Sequence, residues 1–293
     1  MPTLAIIDGT LKAAEEASVS IFDRGFLYGD SVFETLRTYD REPYELQAHL
    51  ERLAWSAGRV HIAPPVTRDV LASEVRQAIA ATGEPECYVR VMITRGRAES
   101  LGLDPALAGT PLRVVVAGPL QTPSPEAYEQ GVSVACFRTQ RLADATDAAG
   151  AKVGNYLVAV LAMHEAHRVG AAEALVIDAH GHVIEGANSN LFAVIVGRLV
   201  TPPLDTGILP GITRARVIEL ARELGVPVDL RPLKVDELRT ADEVFLSSTI
   251  RELLPVVRVE DAIIADGRPG AVTRRLLARF REHVHQWLAQ RGA

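Results

Sequence analysis

The chain has 293 residues, is 48% hydrophobic and 23% charged, and carries a formal net charge of −6 with no low-complexity tract. That composition excludes a disordered or fibrous protein, and the absence of any Lys/Arg run excludes the electrostatic footprint that a nucleic-acid backbone requires. Its apolar runs, such as residues 173–179 and 190–196, fall short of the ~20 residues of a membrane helix. The N-terminal MPTLAIIDGTLKAAEE lacks the basic region and cleavage site of a signal peptide. A cytoplasmic protein acting on a small molecule is expected.

In chain order, LAIID and SVFETLRTY read as strands, Leu46–Arg59 and Arg68–Thr82 as helices, and YVRVMITR and LRVVVAG as strands again. Residues 119–125 then concentrate Pro, Thr and Ser between apolar strands, the composition of a connection. A first domain over 1–118, this linker, and a second domain over 126–293 follow. The second domain begins with strand VSVACFR and a helix over Asn155–Gly170. Hairpin EALVIDAHGHVIEG and strands NLFAVIV and RLVTP come next. A helix after LPGIT places Val217, Ile218, Ala221 and Leu224 at helical spacing. Strands EVFLSSTI and LLPVVRV and a helix over Val272–Leu288 complete an α+β chain without repeated βαβ alternation.

Cys87 and Cys136 are too few for a disulfide scaffold or a four-cysteine zinc site and read as packed thiols. No ligand cluster of metal spacing occurs, so no metal is expected. Nor is there a Gly-rich dinucleotide fingerprint, a P-loop or a nucleophile elbow, which sets aside dehydrogenase, NTPase and serine-hydrolase chemistry.

Only three lysines occur: Lys12, Lys152 and Lys234. Lys12 falls in what reads as a hairpin turn, and Lys234 precedes a polar helix start. Lys152 lies between the small-residue run ATDAAGA and the apolar NYLVAVLAM, where partial desolvation favours imine-forming chemistry. The same position also suits a lysine extending from a helix start. Glu185 follows a strand and precedes a Gly-Ala-Asn-Ser turn, from which it either projects inward or serves the turn. Gly211 and the amides of Ile212 and Thr213 open a helix in the manner of a phosphate site, or of simple capping. Ser247, Ser248 and Thr249 end a strand as a second hydroxyl cluster.

These residues sit in FDRGFLYGDSVFETLR, HLERL, AKVGNY, VIEGANSNLF, LPGITR and LSSTIRELLPV. In that order the chain resembles, nearly end to end, the class IV (fold type IV) pyridoxal 5'-phosphate (PLP) aminotransferases. Within that family the branched-chain amino acid aminotransferases are nearest. The resemblance implies a two-domain α+β fold with a smaller N-terminal α/β sandwich and a larger C-terminal pseudo-barrel. It implies that Lys152 holds PLP covalently, and that Arg52, Ile212, Thr213, Ser248 and Thr249 hold its phosphate. Glu185 would face the pyridine nitrogen, and Tyr156, supported by Asn155, the phenolic oxygen. Arginine suits phosphate because its planar fork matches the oxygens.

The same resemblance gives Tyr28, Phe33, Tyr88, Arg90, Leu103 and Ile250 as substrate-binding residues, with Arg97 able to enter the pocket. It further implies amino transfer from branched-chain L-amino acids to 2-oxoglutarate with ping-pong kinetics, in a homodimer where Tyr28 and Leu103 reach across. Thr35 and the ITRG string depart from the branched-chain pattern. They leave D-amino acid or R-amine transamination and aminodeoxychorismate lyase as alternatives on the same scaffold. A PLP-binding protein without turnover is the alternative of another class, against which the intact Lys152, Glu185 and Arg52 argue.

Overall fold

A computed structural model describes residues 3–139 and 148–291. Positions 145–147 of the small-residue run before Lys152 therefore lie outside the described residues. The chain forms two compact units, Met1–Gln121 with Ala151–Tyr156, and Thr122–Gly150 with Leu157–Ala293. One break between the units follows Gln121. Residues 151–156, expected in the second domain, belong instead to the first, because backbone hydrogen bonds tie them to one of its strands.

The first unit contains β1 (Leu4–Ile7), β2 (Thr10–Ala13), α1 (Arg24–Tyr28), β3 (Ser31–Tyr39), β4 (Glu42–Pro43), α2 (Leu46–Arg59), α3 (Arg68–Thr82), β5 (Cys87–Thr94) and β6 (Leu112–Pro119). Its strands form one antiparallel sheet in the order β2-β1-β6-β5-β3-β4. Lys12 is a correction: it lies within β2 opposite Ala5, not in the turn. α2 buries Leu46, His49, Leu50, Leu53 and Ala57, the i, i+3, i+4, i+7 face of an amphipathic helix. That face packs with Val32 and Leu36 of β3, Val89 and Val91 of β5, and Val75 and Ile79 of α3. Thr67 caps α3 by accepting from the Val70 amide, and Gly83 in the left-handed region ends it.

The second unit contains α4 (Pro125–Gln130), β7 (Val132–Arg138), α5 (Leu157–Arg168), β8 (Glu173–Ile177), β9 (His182–Gly186), β10 (Asn190–Ile195), β11 (Arg198–Thr201), α6 (Ile212–Glu223), β12 (Val228–Leu230), β13 (Leu233–Lys234), α7 (Val235–Arg239), β14 (Glu243–Ser248), β15 (Glu252–Val259), β16 (Ala262–Ile263) and α8 (Ala271–Ala289). Its sheet runs β12-β11-β10-β14-β15-β7-β8-β9-β13, with β16 beside β15. The pairs β11–β12, β15–β7 and β7–β8 are parallel, and the remaining pairs are antiparallel. Val134, Leu175, Leu191, Val244, Leu246 and Val256 form much of its core.

A buried carboxylate starts the long α8. Glu243 accepts from the amides of Val272 and Thr273 at 2.8 and 2.7 Å and from the Thr273 hydroxyl at 2.7 Å. Negative charge at a helix N-terminus complements its dipole and its unpaired amides.

The β10–β11 hairpin turns through Val196 and Gly197, both at positive φ (51° and 70°). Such a turn matches the strand twist, but a β-branched side chain is strained there, and the exposed Val196 gains no packing in return. Val196→Asn is expected to stabilise the protein by about 1 kcal/mol, read as a higher urea midpoint at unchanged slope.

Candidate functional site

Lys152 is fixed through its backbone. Its amide donates to Ser56 Oγ at 3.1 Å, and its carbonyl accepts from Phe33 N at 3.0 Å. Val153 bridges Val32 in antiparallel fashion, and Gly154 N donates to the Ser31 carbonyl at 2.7 Å. The segment thus adds to the start of β3 as a short strand. Glycine at 154 leaves room for Ser31, whose Oγ a Cβ would meet at 2.1 Å.

With the backbone held, the half-buried amine donates from Nζ to the Tyr156 hydroxyl at 3.2 Å and lies 4.7 Å from the Phe33 ring centroid. Phe33 meets Tyr156 edge-on at 5.1 Å and carries the Arg90 guanidinium 3.8 Å from its centroid. Lys152, Tyr156, Phe33 and Arg90 therefore share one cluster, although they come from three stretches of sequence. Tyr88 precedes Arg90 by two in β5 and shares its sheet face. Thr35 lies opposite Arg90 in the ladder.

Arg52, on α2, is gripped by Glu34 of β3: its Nε donates to Oε1 and its Nη2 to Oε2, both at 2.7 Å. His49 Nδ1 donates to the same Oε2 at 2.7 Å. Burial would push the fully buried Glu34 up, but the hydrogen bonds and charge of Arg52, together with His49, hold it down at about 2. Burial pushes His49 down, more than the bond from Glu34 lifts it, and the positive charges of Arg52 and Lys152 add to the fall. A neutral imidazole beside a carboxylate must carry its proton on Nδ1, which leaves the buried Nε2 without a partner.

Tyr28 ends α1, where its hydroxyl accepts from Gly102 N at 3.2 Å, next to Leu103. Arg97 is exposed. It lines an open cavity of about 360 Å³ with Asp8, Ser20, Asp23 and Arg113.

In the second unit, Glu185 sits in β9 opposite Val176. Its Oε2 accepts from Leu209 N at 3.2 Å and from Asn190 Nδ2 at 3.4 Å, and the same Asn190 amide donates to the Leu209 carbonyl at 3.0 Å. These bonds bind the Glu185 strand to the Leu-Pro-Gly stretch before α6. Gly211, the N-cap of α6, leaves room for that asparagine: a Cβ would fall 1.9 Å from Asn190 Oδ1. No side chain caps α6, so its first turn, with Ile212 and the buried Thr213, presents the dipole and amides that favour an anion. Ser248 ends β14, and Thr249 and Ile250 form the turn into β15, where Arg251 N donates to Ser248 Oγ at 3.3 Å.

Buried Glu173 supports both loops. It accepts from Asn188 N at 2.8 Å in the turn after Glu185 and pairs with Arg251 in the turn after Thr249. Cys87 is buried, whereas Cys136 is half-buried, its thiol pushed up to about 11 chiefly by burial.

The family model for amino-transferase class IV matches residues 31–259. The chain belongs to the class IV aminotransferases. Branched-chain-amino-acid aminotransferase of Escherichia coli strain K12 is 35% identical over 279 residues, covering 93% of this chain and 90% of the relative. A crystal structure of the Escherichia coli branched-chain enzyme superposes with a TM-score of 0.91 at 34% identity, covering 96% of this chain and 94% of that one. The T.th. branched-chain enzyme complexed with N-(5'-phosphopyridoxyl)-L-glutamate gives 0.89 at 31% identity, with 96% and 94% covered. This class IV aminotransferase is therefore a PLP-dependent enzyme of the α+β, two-domain fold type IV.

Sequence reasoning passed over Glu34, His49 and Glu173. For Glu34 the signal was present, since period-two alternation through Val32 and Leu36 puts it on the helix-facing side of β3. A carboxylate on that face needs a partner, and HLERL supplies two on one helix face. Because the folded pKa of Glu34 lies near 2 against an ordinary 4.5, its stabilisation is full above about pH 5 and is lost as pH falls towards 2. Glu34→Gln should cost about 3 kcal/mol at pH 7 and progressively less below pH 4.5, measured by urea unfolding across that range.

Proposed function

We propose that this class IV aminotransferase moves the amino group of branched-chain L-amino acids to 2-oxoglutarate by a ping-pong mechanism, with Lys152 as the catalytic residue. The observation that carries the reading is the placement of Lys152. Its amine is half-buried beside the Tyr156 hydroxyl and the Phe33 ring, on a segment held by β3, in a chain resembling branched-chain enzymes over nearly its whole length.

The residues present fit PLP. An amine able to form an imine, an uncapped helix N-terminus and a braced carboxylate are the donor set that a phosphorylated pyridine aldehyde calls for. When bound, PLP supplies a carbonyl that joins covalently to amines and a ring that draws electrons from the substrate α-carbon.

The reading gives each residue a task. Lys152 would anchor the cofactor, and its amine would serve as the base that takes the proton from the substrate α-carbon and as the acid that gives it back. Glu185, held by Asn190 and the Leu209 amide, would face the ring nitrogen as a charged partner. Tyr156 would bind the phenolic oxygen, and Arg52, Ile212, Thr213, Ser248 and Thr249 would hold the phosphate. Phe33, Tyr88, Arg90, Leu103, Tyr28 and Ile250 shape the substrate pocket, and Arg97 is available to it.

L-Leucine should abolish the violet-edge absorbance of the holoenzyme in a single half-reaction, and D-alanine and (R)-1-phenylethylamine should not. Lys152→Ala should lose turnover on the order of a thousandfold or more. Conversion by D-alanine or the R-amine alone would replace the branched-chain assignment, and retained transamination in Lys152→Ala would remove its catalytic role.

The reading also includes a homodimer in the cytoplasm. Among the described residues no helix is long and apolar enough to cross a membrane. Ile21, Phe22, Phe26, Leu101 and Leu103 of the first unit are exposed, as are Leu157, Val160 and Leu161 along α5. Exposed apolar groups in such number belong to interfaces. Sedimentation should give twice the 31.6 kDa chain mass; Phe26→Asp should shift the protein towards monomer and lower activity with it.

A further inference from the structure

Arg24 is heavily engaged and lies outside the residues assigned so far. It lies on the short α1, is only 3% exposed, and directs its guanidinium at the loop that carries Leu103. Nη1 donates to the carbonyls of Gly102 at 2.9 Å and Asp104 at 3.3 Å, and Nη2 donates to the carbonyl of Leu103 at 3.0 Å. Nε donates to Asp30 Oδ2 at 2.9 Å. The Tyr28 ring lies 5.1 Å from the guanidinium, and its hydroxyl accepts from the Gly102 amide.

The base of this arrangement is fixed as well. Asp23 caps α1 by accepting from Gly25 N at 2.8 Å and receives the Thr94 hydroxyl at 2.8 Å. The Arg24 amide donates to the Gly96 carbonyl at 3.0 Å. Asp30 is shared with Arg95, whose Nε donates at 2.7 Å. Burial would raise Asp30, but the bonds and charges of Arg95 and Arg24 hold it below the usual carboxylate range, so it stays ionised against both.

Three successive carbonyls converging on one buried guanidinium fix a backbone turn that has no ladder of its own. The result is a held loop whose carbonyls point at Arg24 and whose Leu103 side chain is 77% exposed. An apolar side chain held out on a pinned loop pays no ordering entropy when it meets a ligand. We propose that Arg24 is a positioning residue for donor selectivity: it presets the loop at 102–104 so that Leu103 covers a branched aliphatic side chain. This rests on the reading of Leu103 as a substrate residue.

The experiment compares wild-type and Arg24→Lys holoenzymes. Lysine keeps the charge beside Asp30 but cannot reach three carbonyls with a planar fork. Hydrogen exchange at the Gly102 amide, which the held loop keeps on the Tyr28 hydroxyl, should rise about tenfold or more, the size of losing one or two charge-assisted bonds. KM for L-leucine should rise about tenfold, while KM for L-2-aminobutyrate and kcat with both donors stay within about twofold. The violet absorbance and melting temperature check that cofactor and fold are retained.

Unchanged exchange would overturn the clamp, and a parallel rise in KM for both donors would overturn the selectivity. If the wild-type enzyme does not take L-leucine, the substrate assignment fails, and exchange alone then decides whether Arg24 holds the loop. Should Arg24→Lys fail to fold, Leu103→Ala, a change at an exposed position, must reproduce the selective rise for L-leucine; an equal change for both donors would count against the proposal.

Discussion

The lysine amine, its aromatic neighbour Phe33 and Arg52 all depend on β3. One edge of its start receives residues 152–154 through backbone hydrogen bonds, which fixes where the lysine amine can be. Alternate side chains then serve two purposes. Phe33 reaches the amine on one face, while Glu34 on the other fastens Arg52 and His49 of α2. Because successive residues of a strand point to opposite faces, a slip of one residue would exchange these roles. The core prevents it, since Val32 and Leu36 must stay against the helices.

The second unit solves a comparable problem with loops rather than a strand. Glu185, the start of α6 and the turn after β14 are distant in sequence, and each needs its backbone held in place. Asn190 joins the first two, with Gly211 giving it room, and Glu173 joins the Glu185 turn to the turn containing Arg251. Buried polar groups of this kind contribute little net stability, because desolvation offsets most of their attraction. Their effect is to leave each loop one low-energy arrangement, which is what preorganised binding requires.

Regular elements were legible where one periodicity dominates. α2 and α3 span the residues that their apolar spacing indicates, and the strands of β3, β5, β7 and β10 follow from β-branched runs. The short α1 and α4 were not, because five or six residues offer no period; α1 depends on the Asp23 cap and the Arg24 contacts, which are tertiary. Lys12 reads as a turn residue because the Asp-Gly signal precedes it, yet the turn is confined to Asp8 and Gly9 and the strand resumes at Thr10. The return of residues 151–156 to the first unit was equally hidden, since pairing between Val32 and Val153 leaves no local pattern.

Of the site, residue types with few alternatives were readable and supporting residues were not. With three lysines in the chain, the amine had few candidates, and the glycine at 211 marked close backbone approach. Glu34, His49, Glu173 and Arg24 carry no comparable signature, because an acid or base in an apolar stretch acquires meaning only from the partner that neutralises it. That partner is 15 to 18 residues away for Glu34 and 78 to 80 for the Arg24 carbonyls. Chemistry that resides in one side chain can be found from sequence, whereas chemistry that resides in the fixing of that side chain is a property of the fold. The same asymmetry explains why the cofactor was easier to read than the donor: PLP demands particular functional groups, but a branched side chain demands only a shaped apolar surface, which Leu103 can provide wherever its loop is held.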